Sequence, residues 1–238
     1  MLCAKLKLVS ILDLLFPRHC LGCGKTGLYF CSDCTARIKK VSQICPVCEK
    51  PSPFGQTHRF CETKYSLAGL ISLFPYEGIV RNAIHKLKYK LVTDLETELW
   101  QVIKNTLEEK KQELTIFNQF LADKPTVVPI PLYWYKENLR GFNQSSLLGK
   151  RLAKFFDLPF SDKILVRQKN VISQTKLAFK ERKENVKGIF RALPQIQNSL
   201  PNILLVDDVW TTGSTLKEAA RTLKDAGAKT VWGLTLAR

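Results

Sequence analysis

The chain has 238 residues, 45% of them hydrophobic, which is enough for a sizeable core and too apolar for a disordered chain; the length fits one domain with an appendage, or two domains. Its 37 Lys and Arg against 21 Asp and Glu leave a formal charge of +16, a field that attracts polyanions such as nucleic acid, phosphorylated metabolites or an anionic membrane surface. No apolar run reaches the length of a membrane span, which argues against stable membrane insertion and for a soluble, cytoplasmic chain.

Residues 1–19 begin with Lys5 and Lys7 ahead of Leu8, Val9, Ile11, Leu12, Leu14, Leu15 and Phe16. Asp13 interrupts that run and Pro17-Arg18-His19-Cys20 is a poor cleavage site, so the segment is read as an amphipathic helix packed on its own fold and not as a signal peptide. Peripheral docking at the inner face of the membrane is the lesser alternative.

Residues 20–64 hold the cysteines. Cys20 with Cys23, Cys31 with Cys34, Cys45 with Cys48 and His58 with Cys61 form four knuckles, each with two intervening residues. Four knuckles supply the eight ligands of two closed tetrahedral zinc sites, with the backbone N–H groups of each turn facing the sulfurs. The regular spacing and the missing export signal favour zinc over disulfides. So short a segment buries too little apolar surface to fold alone, whereas structural zinc contributes on the order of 10 kcal/mol. Sequential pairing of knuckles, first with second and third with fourth, is the favoured arrangement, and interleaving is the alternative. With every coordination position filled, the zinc is structural.

Residues 65–238 read as an α/β domain. Leu67 to Pro75 is a strand; residues 78–90 are a helix whose outer side carries Arg81, Lys86, Lys88 and Lys90; residues 94–122 are one long helix; and Val127 to Ile130 is a short strand closed by Pro131. A loop follows in which Tyr133, Trp134, Tyr135, Lys136, Arg140, Phe142, Asn143 and Gln144 interleave aromatic planes with cationic and amide groups. Such a mixture stacks bases at about 1–3 kcal/mol each and neutralises phosphates, although each aromatic could equally pack beneath the loop. A second basic loop, Arg167 to Lys187, carries Lys176 and Arg182 with few apolar anchors and is expected to be mobile and able to close over an anion.

Ile203-Leu204-Leu205-Val206 is a buried parallel strand, Asp207 and Asp208 mark its carboxyl end, and Thr211, Thr212, Gly213, Ser214 and Thr215 lead into a helix with Leu216, Ala219, Ala220 and Leu223 on one face. The N–H groups and positive dipole end of that helix suit a phosphate, and the hydroxyls add donors. Two acceptor-only carboxylates suit ribose hydroxyls, or a magnesium ion bound with them. Trp210 is either an exposed ring that stacks on a base or a wedge against the neighbouring loop. A last strand near residues 230–236 completes a parallel sheet flanked by helices, with ligands at its carboxyl edge.

The Asp207-to-Thr215 stretch resembles the phosphoribosyl-diphosphate signature of type I phosphoribosyltransferases. Taken with the knuckles before Pro75, Val128-Pro129-Ile130-Pro131, Arg140 to Gln144, Lys86 to Tyr89, and the series Gln174, Leu177, Arg182, Asn185, Val186, Gly188 and Phe190, the chain resembles the ComF family over nearly its whole length. The resemblance implies a zinc-ribbon module joined to a type I phosphoribosyltransferase-like domain. It implies that Asp207 and Asp208 meet ribose, that Thr211 to Thr215 hold the 5′-phosphate, and that Pro129, Ile130 and Pro131 lead into the pyrophosphate loop. It also implies handling of incoming single-stranded DNA in natural transformation, alongside DNA-uptake or helicase partners. His58 departs from the family's usual cysteine. Two function classes follow: a protein that binds phosphoribosyl diphosphate and single-stranded DNA, or an active phosphoribosyltransferase with an unidentified nitrogen acceptor.

Overall fold

The computed structural model describes residues 17–89, 93–168, 187–193 and 202–238. The expected amphipathic helix and the candidate nucleic-acid residues Lys176 and Arg182 lie outside the described residues. Among the described residues no helix is long and apolar enough to cross a membrane.

Four parallel strands form the central sheet in the order β1 (Gly69–Phe74), β6 (Thr230–Ala237), β5 (Asn202–Val209), β2 (Thr126–Pro129). The aliphatic run of β5 lies between both neighbours, with Ile203 and Val206 opposite Thr126 and Pro129 on one side and opposite Val231 and Leu234 on the other. Its side chains alternate between two cores. Leu204 and Val206 meet the helices α2 (Gly78–Tyr89), α3 (Thr93–Glu109) and α4 (Thr115–Ala122), while Ile203 and Leu205 meet α7 (Ser214–Asp225) through Leu216, Ala219, Ala220 and Leu223. α6 (Gln144–Phe156) crosses β2 closely at Gly149, where a Cβ would come 3.1 Å from Phe160. A two-stranded antiparallel ribbon, β3 (Leu165–Arg167) with β4 (Phe190–Ala192), extends the second core through Leu165 and Phe190.

The cysteine segment, which contains the short helix α1 (Ser32–Ala36), covers the open edge of β1. The Gln43 amide donates to Ser72 O and accepts from Ser72 N, both at 2.9 Å, and Gly55 O accepts from Leu70 N at 2.8 Å. An unpaired sheet edge is an aggregation template, and here the edge is closed by backbone and amide hydrogen bonds. The same segment grips the helical layer, because Glu98 of α3 accepts from the N–H groups of Tyr29 and Phe30 at 2.7 and 3.0 Å.

Two expectations are corrected. The single helix over residues 94–122 is two, α3 and α4, separated by a turn at 110–114. A straight helix of that length would extend about 44 Å, well past a sheet whose eight-residue strands span about 27 Å. Turning at Leu114 instead lays Phe117 and Phe120 on Trp232, at ring distances of 5.5 and 5.7 Å. The aromatic loop after Pro131 contains a helix, α5 (Trp134–Arg140), which ends on Gly141 at a φ of 75°. It was hidden because Trp134, Tyr135 and Leu139 are all exposed, so no buried stripe repeats at helical spacing.

Candidate functional site

The knuckles come together in sequential pairs. The ligand atoms of Cys20, Cys23, Cys31 and Cys34 lie within 4.8 Å of one another, as do those of Cys45, Cys48, His58 and Cys61. Cys20 and Cys31 sulfurs are 3.5 Å apart, Cys23 and Cys31 sulfurs 3.7 Å, and Cys48 Sγ is 3.4 Å from His58 Nδ1. Four sulfurs held about 2.3 Å from one zinc ion are separated by about 3.8 Å, so the donor sets fit that metal. His58 fits with Nδ1 facing the sulfurs, leaving Nε2–H to donate to Pro51 O at 3.2 Å, which fixes the ring. Burial raises the Cys20 thiol, but backbone N–H groups of Cys31, Cys23 and Gly22 outweigh it and bring the pKa down to about 6. Cys34 is pushed up to about 12 by its contact with Cys31 and by burial. Crowded thiols that cannot all ionise by themselves are what a dication resolves.

The second centre lies at the carboxyl edge of the sheet, where β5, β2 and α6 converge. Asp207 is half-buried; burial first and the Asp208 charge second raise its pKa from 3.8 to about 7, against hydrogen bonds from Asp208 N and Ser145 Oγ, each 2.9 Å from Oδ1. Asp208 pairs with Lys88 Nζ at 2.7 Å. Lys88, a candidate nucleic-acid residue, is therefore the counter-ion of this acid, and Lys86 lies over the Tyr29 ring at 4.5 Å.

Past the acids, Trp210 is 2% exposed, which rules out the exposed ring and leaves the wedge. Its indole fills the space beside Gly213, where a Cβ would fall 2.1 Å from the ring at a φ of +67°. Only glycine permits that turn and lets the backbone pass so close. Thr212 is buried and its Oγ1 lies 2.8 Å from Ser214 Oγ, whereas Thr211 is exposed and Ser214 and Thr215 are half-buried at the first turn of α7.

On the opposite side of the cleft, β2 ends in Pro129 and Ile130, both buried, and half-buried Pro131. Ile130 N donates to Val206 O at 2.9 Å, and Ile130 O accepts from Asn143 Nδ2 at 3.0 Å. Asn143 also caps α6 by accepting from Ser145 N, so both ends of its amide are used inside the fold. Gln144 accepts from Arg140 at 3.1 Å and donates to Leu87 O at 3.4 Å. Trp134 and Tyr135 are exposed, while Tyr133, Lys136 and Phe142 are half-buried.

Two residues outside the sequence-derived site belong to it. Ser145 holds Asp207. Arg167, at the end of β3, has a buried Nε with no hydrogen-bond partner; burial lowers its pKa and the Asp207 charge raises it. Lys136 is lowered by burial and then by Arg167 and Arg140, so three cations cluster together, and Arg167 carries that cluster to Asp207. That excess of positive charge suits a polyanionic group. Arg167 gave only the weak signal of opening a basic loop, because its charge partner is 40 residues away in the chain.

The chain matches the double zinc ribbon domain family over residues 11–63 and the phosphoribosyl transferase domain family over residues 143–238. It is similar to Competence protein F of Haemophilus influenzae, 28% identical over 224 residues that cover 92% of this chain and 90% of that protein. It is 29% identical to the DNA utilization protein YhgH of Escherichia coli K12 over 213 residues, covering 89% and 90% of the two chains. Competence protein ComFC of Bacillus subtilis is 31% identical over 222 residues, covering 87% of this chain and 83% of that one.

Proposed function

This chain belongs to the ComF family, and we propose that it handles single-stranded DNA taken up in natural transformation while holding phosphoribosyl diphosphate, or a related ribose-phosphate, at the Asp207-to-Thr215 loop. The carrying observation is the half-buried acid pair at a strand end, followed by a hydroxyl-lined turn, with Arg167 near Asp207 and Lys136 and Arg140 clustered with Arg167. Carboxylates accept from vicinal ribose hydroxyls, the start of α7 with Ser214 and Thr215 takes the 5′-phosphate, and the cations take the diphosphate. A magnesium ion bound with the diphosphate supplies charge neutralisation. The single strand would run over the basic side of the cleft, with Trp134 and Tyr135 offering open ring faces. Cytoplasmic DNA-uptake or helicase proteins are the partners this role requires.

Calorimetric titration of the full zinc-loaded chain with magnesium and phosphoribosyl diphosphate, with and without single-stranded DNA, tests the reading. Saturable binding lost in Asp208→Asn is expected; no heat of binding in the parent chain would remove the ligand assignment.

The cation cluster also favours a second reading, an active phosphoribosyltransferase, since Lys136, Arg140 and Arg167 would stabilise a leaving pyrophosphate. Pyrophosphate release with some nitrogen base, abolished by Asp207→Asn, would establish it. Binding without release under any acceptor leaves the first reading alone.

A further inference from the structure

Where α1 and the residues after it meet β1 and the end of α3 lies a cleft of about 530 Å³, on the seam between the cysteine segment and the sheet domain. Half-buried Ile38 and buried Leu73, Phe74 and Val102 give it an apolar floor. Lys110, the residue after α3, lines it although only 9% exposed. Lys110 and Glu113 also line a second hollow of about 270 Å³ toward Pro51 and Pro53, so the ammonium stands between two open spaces. Among the described residues it has one hydrogen bond, a long one to Leu73 O at 3.4 Å, whereas an ammonium has three N–H groups to give. Burial holds its pKa below the usual lysine value; Glu113 and Glu109 pull it up from a distance and Lys40 pushes it down. A buried charge with so little of its donor capacity used is costly, and an entering acceptor relieves that cost.

We propose that this cleft binds a small apolar monocarboxylate, whose carboxylate accepts from Lys110 and whose body lies on the floor of Ile38, Leu73, Phe74 and Val102. The chemistry of the walls selects that class. The volume lies in the range of small-molecule sites, roughly 300–1,000 Å³. One buried ammonium matches one negative charge. Exposed Glu109 and Glu113 on the rim repel a phosphate dianion or a nucleic-acid strand, and Lys39 beside them is already paired with Glu77 at 3.1 Å. The site is separate from the Asp207-to-Thr215 loop, none of whose residues lines it, and does not depend on the ribose-phosphate reading. Because its walls come from both the cysteine segment and the sheet domain, its occupant would brace one against the other.

The test uses the full zinc-loaded chain with 4-phenylbutyrate and its uncharged isostere 4-phenylbutyramide, followed by calorimetry. The acid is expected to bind about tenfold tighter than the amide. Lys110→Met, which keeps the aliphatic length and removes the charge, should erase that preference; retained zinc and cooperative melting show that the variant is folded. Amide hydrogen exchange of the parent needs no variant: the acid should slow exchange at residues 32–40 and 105–113 and leave the Asp207-to-Thr215 loop unchanged. The proposal is overturned if neither compound binds, if acid and amide bind equally, if Lys110→Met keeps the preference, or if protection appears at the Asp207-to-Thr215 loop in place of the seam.

Discussion

Asp207 is the residue at which stability and the proposed ligand role oppose each other. Its carboxyl titrates at about 7 in the fold against 3.8 as a free group, so ionising it inside the protein costs stability. Because the folded pKa is the raised one, that cost is absent below about pH 4, grows as pH rises and is complete above about pH 7. Asp207→Asn keeps an oxygen for Ser145 and Asp208 N–H to reach, and should therefore be more stable than the parent at pH 8 by about 2–4 kcal/mol, with the difference closing toward pH 4. Urea unfolding at the two pH values measures this, and a variant less stable at pH 8 would show that the half-buried charge is compensated in the resting protein. Gly213 has the reverse relation. Gly213→Ala drives a Cβ into Trp210 at a left-handed φ, so it should cost about 2–4 kcal/mol by thermal unfolding and weaken ribose-phosphate binding with it. A neutral result would mean that the Trp210 wedge can move aside.

At the level of elements, the cysteine segment and β1 depend on each other. Gln43, Gly55 and Thr57 hydrogen-bond to Ser72, Leu70 and Ala68, so loss of the metal frees a sheet edge besides unfolding the knuckles. Chelating zinc should lower the melting temperature and raise light scattering together, and Gln43→Ala should raise scattering on heating with zinc still bound. A chelated chain that melts at the same temperature and stays monodisperse would show that the segment does not support the sheet. The knuckles, β5, β6 and α7 were legible in the sequence because each has its own local signal: fixed cysteine spacing, an aliphatic run, or a buried stripe ending near Gly227. What was not legible depends on distant partners. The turn between α3 and α4 is set by where Trp232 lies, the β3–β4 ribbon pairs segments far apart in the chain, and Arg167 joins the cleft only because folding brings it toward Asp207. Trp210 could be resolved only by the space that Gly213 leaves.

Over the whole molecule, the charge of +16 is unevenly committed. Lys88, Lys124, Arg151, Lys217 and Arg221 each pair with an acid in the fold, at 2.5 to 3.2 Å. Lys136, Arg140 and Arg167 instead repel one another across one side of the cleft. If a polyanionic strand is bound, its phosphates should be drawn to that side, and two charge reversals separate a local face from a general field. Arg140→Glu removes a cation from the cluster, whereas Lys124→Glu removes one already paired with Asp157. Fluorescence anisotropy with single-stranded DNA over a salt series should give a falling affinity whose logarithmic slope is shallower by about 0.7 or more in Arg140→Glu, because fewer counterions are released. Lys124→Glu should keep the parent slope, since its charge acts on bound DNA only through a screened distance beyond about 10 Å at 0.1 M salt. Equal losses in the two variants would assign binding to net charge alone and detach the DNA from the ribose-phosphate cleft.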